Sequence, residues 1–253
     1  MSHLSPPLLA VSAVALLLSC DAQTTQPIEN AAGSDPAPEL RTARLPDFDP
    51  HDFVRVVDNR YFPLQPGTRY IYRGVEDGER EVNIVDVTTD RKNILGISAV
   101  VVLDRVFVSG ELTEKTFDWY AQDEDGNVWY LGEDTREFED GKVVSTLGSW
   151  EAGKNGAKPG IIMLAHPKVG DAYRQEFLAG IAEDRARVVR RGLKVSVPYG
   201  TFHNCLKTVE FTALEPGIKE AKYYCPRVGF VKAQSIQGEI AHLVLTRIIR
   251  LRA

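Results

Sequence analysis

The chain has 253 residues, 43% of them hydrophobic, with three cysteines and a formal net charge of −5. This acidic balance argues against bulk electrostatic binding to nucleic acid or to anionic lipid. The sequence has one short apolar run near its start, and no segment is long and apolar enough to span a bilayer.

The first predicted element is a signal peptide, residues 1–19. An uncharged apolar run of about eleven residues, Leu8 to Leu18, has the length of a signal-peptide core and is too short for a transmembrane helix. The run closes on Leu-Leu-Ser-Cys20, which resembles a lipobox and implies cleavage before Cys20 and its acylation, with palmitate among the attached chains. No Lys or Arg precedes the run, so an ordinary secretory signal with a chance cysteine stays open. The prediction is a lipoprotein anchored in the bacterial cell envelope, on the periplasmic side.

The next segment, residues 20–46, is predicted to be a disordered linker. It consists of Ala, Pro, Thr, Gln, Asp and Glu, with almost nothing large and apolar to bury. Residues 47–253 are numerous enough for one substantial core and are predicted to form one domain. A short helix is expected at its start, capped by Asp49 with Pro50 in the first turn and with Phe53 and Val57 on one face.

Hairpin signals dominate the remaining sequence. Asp77-Gly78, Asp125-Gly126 and Asp140-Gly141 each stand between runs rich in β-branched and aromatic residues, and Asp-Gly favours type I′ hairpin turns. The parity of apolar residues changes between Ile84 and Val85, which predicts a β-bulge there. The segment 149–178 has no sustained period and is interpreted as an excursion that covers the sheet. The predicted fold is mainly β: a single curved antiparallel sheet with few short helices.

The three cysteines are assigned to two roles, one to lipid attachment and two to a disulfide. With Cys20 assigned to lipid, Cys205 and Cys225 are left as a pair in an oxidising compartment, where a disulfide is expected. A turn near Pro216 would make their strands antiparallel neighbours, and the bridge would stabilise the fold by roughly 3 kcal/mol. His203 lies two residues before Cys205, so a thiol–imidazole site stays open.

Catalytic motifs are absent from the sequence: it contains no GxSxG, HExxH, GxGxxG, phosphate loop or repeated CxxC. No enzyme activity, metal or cofactor is therefore predicted. An envelope hydrolase that uses His166 and a cluster of carboxylates stays open as an alternative. The DEDGN stretch at 123–127 departs from the calcium-loop spacing and is interpreted as a hairpin tip. The clustered acidic residues are Asp118, Asp123, Glu124, Asp125, Glu133 and Asp134.

Large aromatic residues supply the functional candidates. Phe117 and Trp119 share a strand face, Trp129 follows across the Asp125-Gly126 turn, and Trp150 begins the segment predicted to cover the sheet. Together they are predicted to line a pocket for a hydrophobic ligand. The alternative is that they fill the core of the curved sheet.

Four blocks of sequence carry a resemblance to known proteins. NRYFPLQPGTRYIY, PKVGDAYRQEF, VPYGTFHNCLKT and YYCPRVGFVK together resemble a group of uncharacterised secreted bacterial lipoproteins. At the level of the fold, the second half also resembles the half-barrel domains of the Lol system, which carry and receive lipoproteins. That resemblance implies a strongly curved antiparallel sheet with an apolar concave face.

The predicted function is non-enzymatic binding of a hydrophobic or lipidic ligand by a membrane-anchored envelope lipoprotein. The alternative is a structural or protein-interaction module of the envelope, with an unknown protein partner. Nucleic acid is not expected to be a partner.

Overall fold

The computed structural model describes residues 48–238 and 241–251. The predicted signal peptide, the acylation of Cys20 and the linker 20–46 lie outside these residues. Within the described part of the chain, no helix has the length and apolar character needed to cross a membrane.

Strands make up nearly all of the described structure. Those of the N-terminal half are β1 (Phe53–Val54), β2 (Thr68–Glu76), β3 (Glu79–Ile94), β4 (Ile97–Val108), β5 (Glu111–Asp123) and β6 (Val128–Glu139). The middle of the chain contributes β7 (Lys142–Ser145), β8 (Trp150–Glu151), β9 (Lys158–Met163), β10 (Ala172–Arg174) and β11 (Glu176–Phe177). The C-terminal half forms β12 (Arg185–Val197), β13 (Gly200–Phe211), β14 (Lys219–Cys225), β15 (Gly229–Gln237) and β16 (Ala241–Arg250).

The long strands form two antiparallel meanders in one sheet. Strands β2 to β6 are hydrogen-bonded in chain order, as are β12 to β16, and the two meanders meet where β16 pairs with β2. The sheet curves into a nearly closed barrel, which confirms the predicted single curved antiparallel sheet and extends it beyond a half-barrel.

Residues 149–178 close this sheet instead of crossing its concave face as predicted. Strand β9 pairs with β6, and the adjacent short strands β10 and β11 pair with β12 and β9 respectively, so one segment contacts both ends of the sheet. A Cβ atom on Gly160 would lie 2.3 Å from the carbonyl of Gln175, so glycine is required for this approach. The aperiodic sequence therefore reflects closure by very short strands.

Two local predictions have different outcomes. Asp49 does cap a turn, since its side chain accepts a hydrogen bond from the backbone N–H of His51 at 2.9 Å, but the helix is a single 3-10 turn, Pro50–Asp52. The bulge predicted between Ile84 and Val85 is wrong: β2 and β3 pair without interruption there, and the irregularity lies between Val87 and Arg91. Ile84 and Val85 simply face opposite sides of the sheet.

The predicted disulfide is present and joins β13 to β14. Leu206 pairs with Tyr224, so the next positions, Cys205 and Cys225, are directly opposed, with their Cα atoms 4.2 Å apart. Both cysteines are buried.

Replacing both cysteines, in the double variant Cys205→Ala/Cys225→Ala, is expected to lower the free energy of unfolding by about 3 kcal/mol, because an open loop has more entropy when unfolded. Urea denaturation of both proteins measures the difference. The wild type assayed in a strong reductant serves as the control and should lose a similar amount. Equal midpoints in all three samples would contradict the prediction.

Candidate functional site in the barrel interior

The two faces of the sheet differ in charge. Side chains alternate between faces along a strand, and in β5 the inward positions are Glu114, Thr116 and Asp118, while Lys115 and Phe117 face outward. The inward residues are buried and the outward ones are half-buried. Acidic side chains therefore point into the barrel at positions where a β-barrel usually places apolar residues.

This pattern extends around the barrel. Its inner surface carries carboxyl groups from strands of both meanders and from the closing segment, each less than 9% exposed. They are Glu81, Asp104, Glu114, Asp118, Glu133, Glu176, Glu210 and Glu220. Among the residues that the structure describes, Lys222 is the only buried lysine or arginine.

Hydroxyl and indole groups donate hydrogen bonds to several of these inward carboxyls. The Tyr130 hydroxyl donates to Asp118 Oδ1 at 2.6 Å, and its ring stacks on Tyr120 with centroids 4.7 Å apart. Further along β6, Thr135 donates to Glu133 Oε2 at 3.1 Å. The Trp150 indole donates to Glu176 Oε2 at 2.9 Å. These bonds hold the carboxyls in defined orientations.

A second cluster surrounds Lys222. Its ammonium lies 2.9 Å from Glu210 Oε2 and 3.6 Å from Glu220 Oε2. The Tyr224 hydroxyl donates to the other oxygen of Glu210 at 2.9 Å, and Thr208 donates to that same oxygen at 3.0 Å. Glu210 thus has an ammonium and two hydroxyl groups as partners, which is the arrangement that a buried charged cluster requires.

Burial shifts the titration of the remaining acids. Desolvation raises the pKa of Glu81 to about 8, with further contributions from the nearby charges of Glu76 and Glu220. Burial likewise raises the pKa of Asp118 to about 6 and that of Glu220 to about 7. For a further group of carboxyls, burial raises the pKa well above its ordinary value: Asp104, Glu114, Glu133 and Glu176. A protonated carboxyl both donates and accepts hydrogen bonds, so at neutral pH much of this interior acts as a polar, uncharged surface.

An apolar cavity of about 50 Å³ adjoins the acidic surface. Asp104 and Asp118 contribute the carboxyls of its wall. The Tyr72 hydroxyl donates to the backbone carbonyl of Phe230 at 3.1 Å, and Phe62 packs edge-on against Tyr120. The other lining side chains are apolar or aromatic and include Leu64, Tyr70, Val85, Val87, Val102 and Val228.

The four aromatic residues predicted to form a pocket do not line a common cavity. Phe117 and Trp119 lie on the outer face of β5, where the Lys92 ammonium sits 3.2 Å from the centroid of the Trp119 ring. Trp129 packs against Phe48, with ring centroids 5.1 Å apart, and donates to Asp123 at 2.7 Å. Trp150 faces inward against Tyr130. The strand register explains this separation. On the outer side of the sheet, Trp119 lies opposite Gly132, and Trp129 lies opposite Ala121. Trp150 lies opposite Glu133, which faces inward.

The acidic cluster predicted from sequence divides in the same way. Asp118 and Glu133 face the interior, while Asp134 faces outward and pairs with Arg136 at 3.1 Å. The carboxylate of Asp123 accepts bonds from Asn127 and Trp129, which closes the hairpin tip. His166, required by the hydrolase alternative, is exposed. Across the described ranges, no group of three or more His, Cys, Asp or Glu residues is arranged to hold a metal ion.

Sequence reasoning missed the inward carboxyls, although a signal existed. Acidic and hydroxyl residues recur at every second position in Glu114, Thr116 and Asp118 and again in Glu133, Thr135 and Glu137. Alternation of this kind normally marks the solvent face of a strand, and here it marks the inner face.

Comparisons with known proteins place only the fold in context. No protein-family model matches the chain, and no curated protein matches it. The chain is similar to a provisionally assigned exported protein with a YmcC-like fold from Bacteroides fragilis NCTC 9343, at 14% identity and a TM-score of 0.46, covering 76% of this chain and 99% of the other. It is also similar to a provisionally assigned lipoprotein from Parabacteroides distasonis ATCC 8503, at 12% identity and a TM-score of 0.42, covering 76% of this chain and 100% of the other. The resemblance of the four sequence blocks to secreted bacterial lipoproteins stays a prediction. The resemblance of the second half of the chain to the Lol half-barrel domains also stays a prediction.

Proposed function

We propose that this protein is a non-enzymatic binding protein of the bacterial cell envelope, tethered through Cys20, which takes the apolar end of an amphipathic ligand into its barrel. The observation that carries this proposal is the cavity between Phe62, Tyr72 and Phe230, whose apolar wall ends at two buried carboxyls. Such a combination is typical of ligand sites, where apolar surface supplies affinity and a few polar groups fix orientation.

The size of the cavity limits the ligand. A volume of about 50 Å³ has room for roughly three to five water molecules. It fits the end of an alkyl chain, a short branched group or a ring edge, so the rest of a lipid would remain outside. Asp104 and Asp118 would accept a hydrogen bond from a hydroxyl or ammonium group that enters with it.

The protein-interaction alternative is favoured by a different observation. Val143 and Val144, on the short strand β7, are 50% and 52% exposed. Two adjacent exposed valines on a short strand could contact another protein, and pull-down with β7 variants would address that alternative separately.

Binding of 1-hexanol is expected to shift the methyl resonances of Val85, Val87 and Val102, which line the cavity. Val85→Phe should weaken this binding by about tenfold because the added ring occupies the cavity. Ile84→Phe is the matched control, since Ile84 is the neighbouring position on the outer face of the same strand. Both variants and the wild type are titrated by methyl NMR with thermal melting as a check on folding.

Two results would contradict the proposal. One is an absence of methyl shifts at saturating alcohol in the wild type. The other is a folded Val85→Phe protein that binds as tightly as Ile84→Phe.

A further inference from the structure

The formal charge of this chain misrepresents its surface. In the six adjacent strands β12–β16 and β2, the only acidic residues are Glu76, Glu210 and Glu220, and all three are buried, at 5%, 8% and 8% exposure. The basic residues of these strands, apart from Lys222, are exposed or half-buried. The net charge of −5 therefore includes carboxyls that do not face solvent, and one side of the barrel presents cations without acidic neighbours on the same strands.

The strand register places several of these cations in line. Arg190 on β12 pairs with Lys207 on β13, which in turn pairs with Tyr223 on β14. Tyr223 pairs with Lys232 on β15. The row then crosses β16 and ends at Arg73 on β2. Neighbouring strands are about 4.8 Å apart, so this row extends over roughly 25 Å. Arg187 and Arg247 flank it on the same outer face, and we call these six side chains the basic wall: Arg73, Arg187, Arg190, Lys207, Lys232 and Arg247.

Apolar and aromatic side chains are interleaved with the cations. The Tyr223 ring lies between Lys207 and Lys232, each with its ammonium 5.4 Å from the ring centroid. Val244 stands between Lys232 and Arg73 in the row. A surface that combines ammonium and guanidinium groups with a tyrosine ring suits the interface of a membrane, where aromatic side chains sit at the level of the headgroups.

A groove adjoins this surface at Arg191. It has a volume of about 350 Å³, and Arg60 and Arg191 contribute guanidinium groups to its lining, together with Asn204. Tyr61 also lines the groove, and its hydroxyl donates to the backbone carbonyl of Asn204 at 3.2 Å. Guanidinium groups favour phosphate, which they bind through forked hydrogen bonds.

We propose that the basic wall lies against an anionic phospholipid surface, with the groove between Arg60 and Arg191 receiving a headgroup phosphate. This inference rests on the envelope location in the proposed function. Each Lys or Arg held near an anionic membrane contributes about 1 kcal/mol, so the six residues together are sufficient for stable association.

The predicted tether strengthens this contact. If residues 20–46 form the flexible linker predicted from their composition, a chain of that length has a root-mean-square span of roughly 30 Å. The barrel would then stay within a few nanometres of the lipid attached to Cys20, and weak electrostatic contacts become effective at such local concentrations. The lipid attachment would restrict the barrel to the surface, and the basic wall would orient it.

Vesicle sedimentation tests the proposal, using the full chain with Cys20→Ser so that the acyl group does not contribute. Binding is expected to vesicles of phosphatidylglycerol and phosphatidylcholine, but not to pure phosphatidylcholine. It should fall by at least about tenfold when salt is raised from about 0.1 M to about 0.5 M, because screening shortens the reach of the charges.

A matched pair of variants separates the basic wall from bulk charge. R73Q/R190Q/K207Q/K232Q should weaken binding by at least about tenfold. K142Q/K154Q/K158Q/K168Q removes the same charge from exposed positions elsewhere on the barrel and should bind like the parent. K207R/K232R keeps the charge and should also bind, and thermal melting of each variant shows whether it is folded.

Three results would overturn the proposal: no preference for anionic vesicles, equal losses in both quadruple variants, or equally tight binding to a short DNA duplex. Failure of the membrane-surface proposal can be told apart from failure of the cavity proposal. Val85→Phe changes the cavity inside the barrel and should leave vesicle binding unchanged.

Discussion

Replacing Lys222 with methionine is expected to lower the free energy of unfolding by about 3 to 5 kcal/mol at neutral pH. Methionine has a similar volume, so the loss reflects charge. Lys222 lies 2.9 Å from Glu210 and 3.6 Å from Glu220, and without its ammonium two carboxyls remain buried beside each other. Removing one partner of a buried ion cluster costs far more than removing an exposed charge.

Urea denaturation of Lys222→Met measures this loss. Lys232→Met is the matched control, because Lys232 is a lysine on the adjacent strand that faces outward; its loss should change the stability by less than about 0.5 kcal/mol. The effect of Lys222→Met should shrink at about pH 4.5, because burial raises the pKa of Glu220 to about 7 and this carboxyl is then protonated. Similar losses in the two variants would show that Lys222 does not neutralise the interior.

The second large effect is a loss of stability as the pH rises. Burial raises the pKa of Glu81 from 4.5 to about 8 in the folded protein. A carboxyl whose pKa is raised by folding contributes fully below its unfolded pKa, and this contribution disappears as the pH rises through the folded value. The free energy of unfolding should therefore fall between about pH 4.5 and pH 8, by an amount on the order of 3 to 5 kcal/mol from Glu81. The raised pKa values of Asp118 and Glu220 act in the same direction.

Glu81→Gln isolates this contribution. The amide cannot ionise, so the variant should lose less stability on going to about pH 9 than the wild type. Glu111→Gln, at an exposed position that begins β5, is the control and should follow the wild type. Chemical denaturation across the pH range provides the comparison. A wild type that is most stable above about pH 8 would refute the account of a largely protonated interior.

Local sequence signals were sufficient for the hairpins and the disulfide. Asp77-Gly78 and Asp140-Gly141 both adopt the positive φ values of two-residue hairpin turns, and they connect β2 to β3 and β6 to β7. The opposition of Cys205 and Cys225 follows from one turn and regular pairing, so it was also predictable. These features depend only on residues that are close in the chain.

The polarity of the interior was not predictable in the same way. Alternation shows that Trp119 and Asp118 face opposite sides, but not which side is enclosed, and the usual assumption assigns the apolar side to the core. The N-terminal residues Phe48 and Phe53 cover Trp129 from outside, so the outer face is partly apolar. Closure through β9 and β10 brings together β6 and β12, which are far apart in the sequence, and no local pattern specifies this.

The pairing of β16 with β2 has a consequence for assembly. The backbone N–H of Leu251 donates to the carbonyl of Gly67 at 2.7 Å, so the last described strand ends beside the start of the first long one. The meander of β2–β6 can form early, but β2 gains its second neighbour only when β16, more than 160 residues later in the sequence, has been added. A folding intermediate in which β16 is not yet paired would present an open sheet edge, which is a template for intermolecular pairing. Strand β16 is thus expected to limit aggregation as well as to complete the fold.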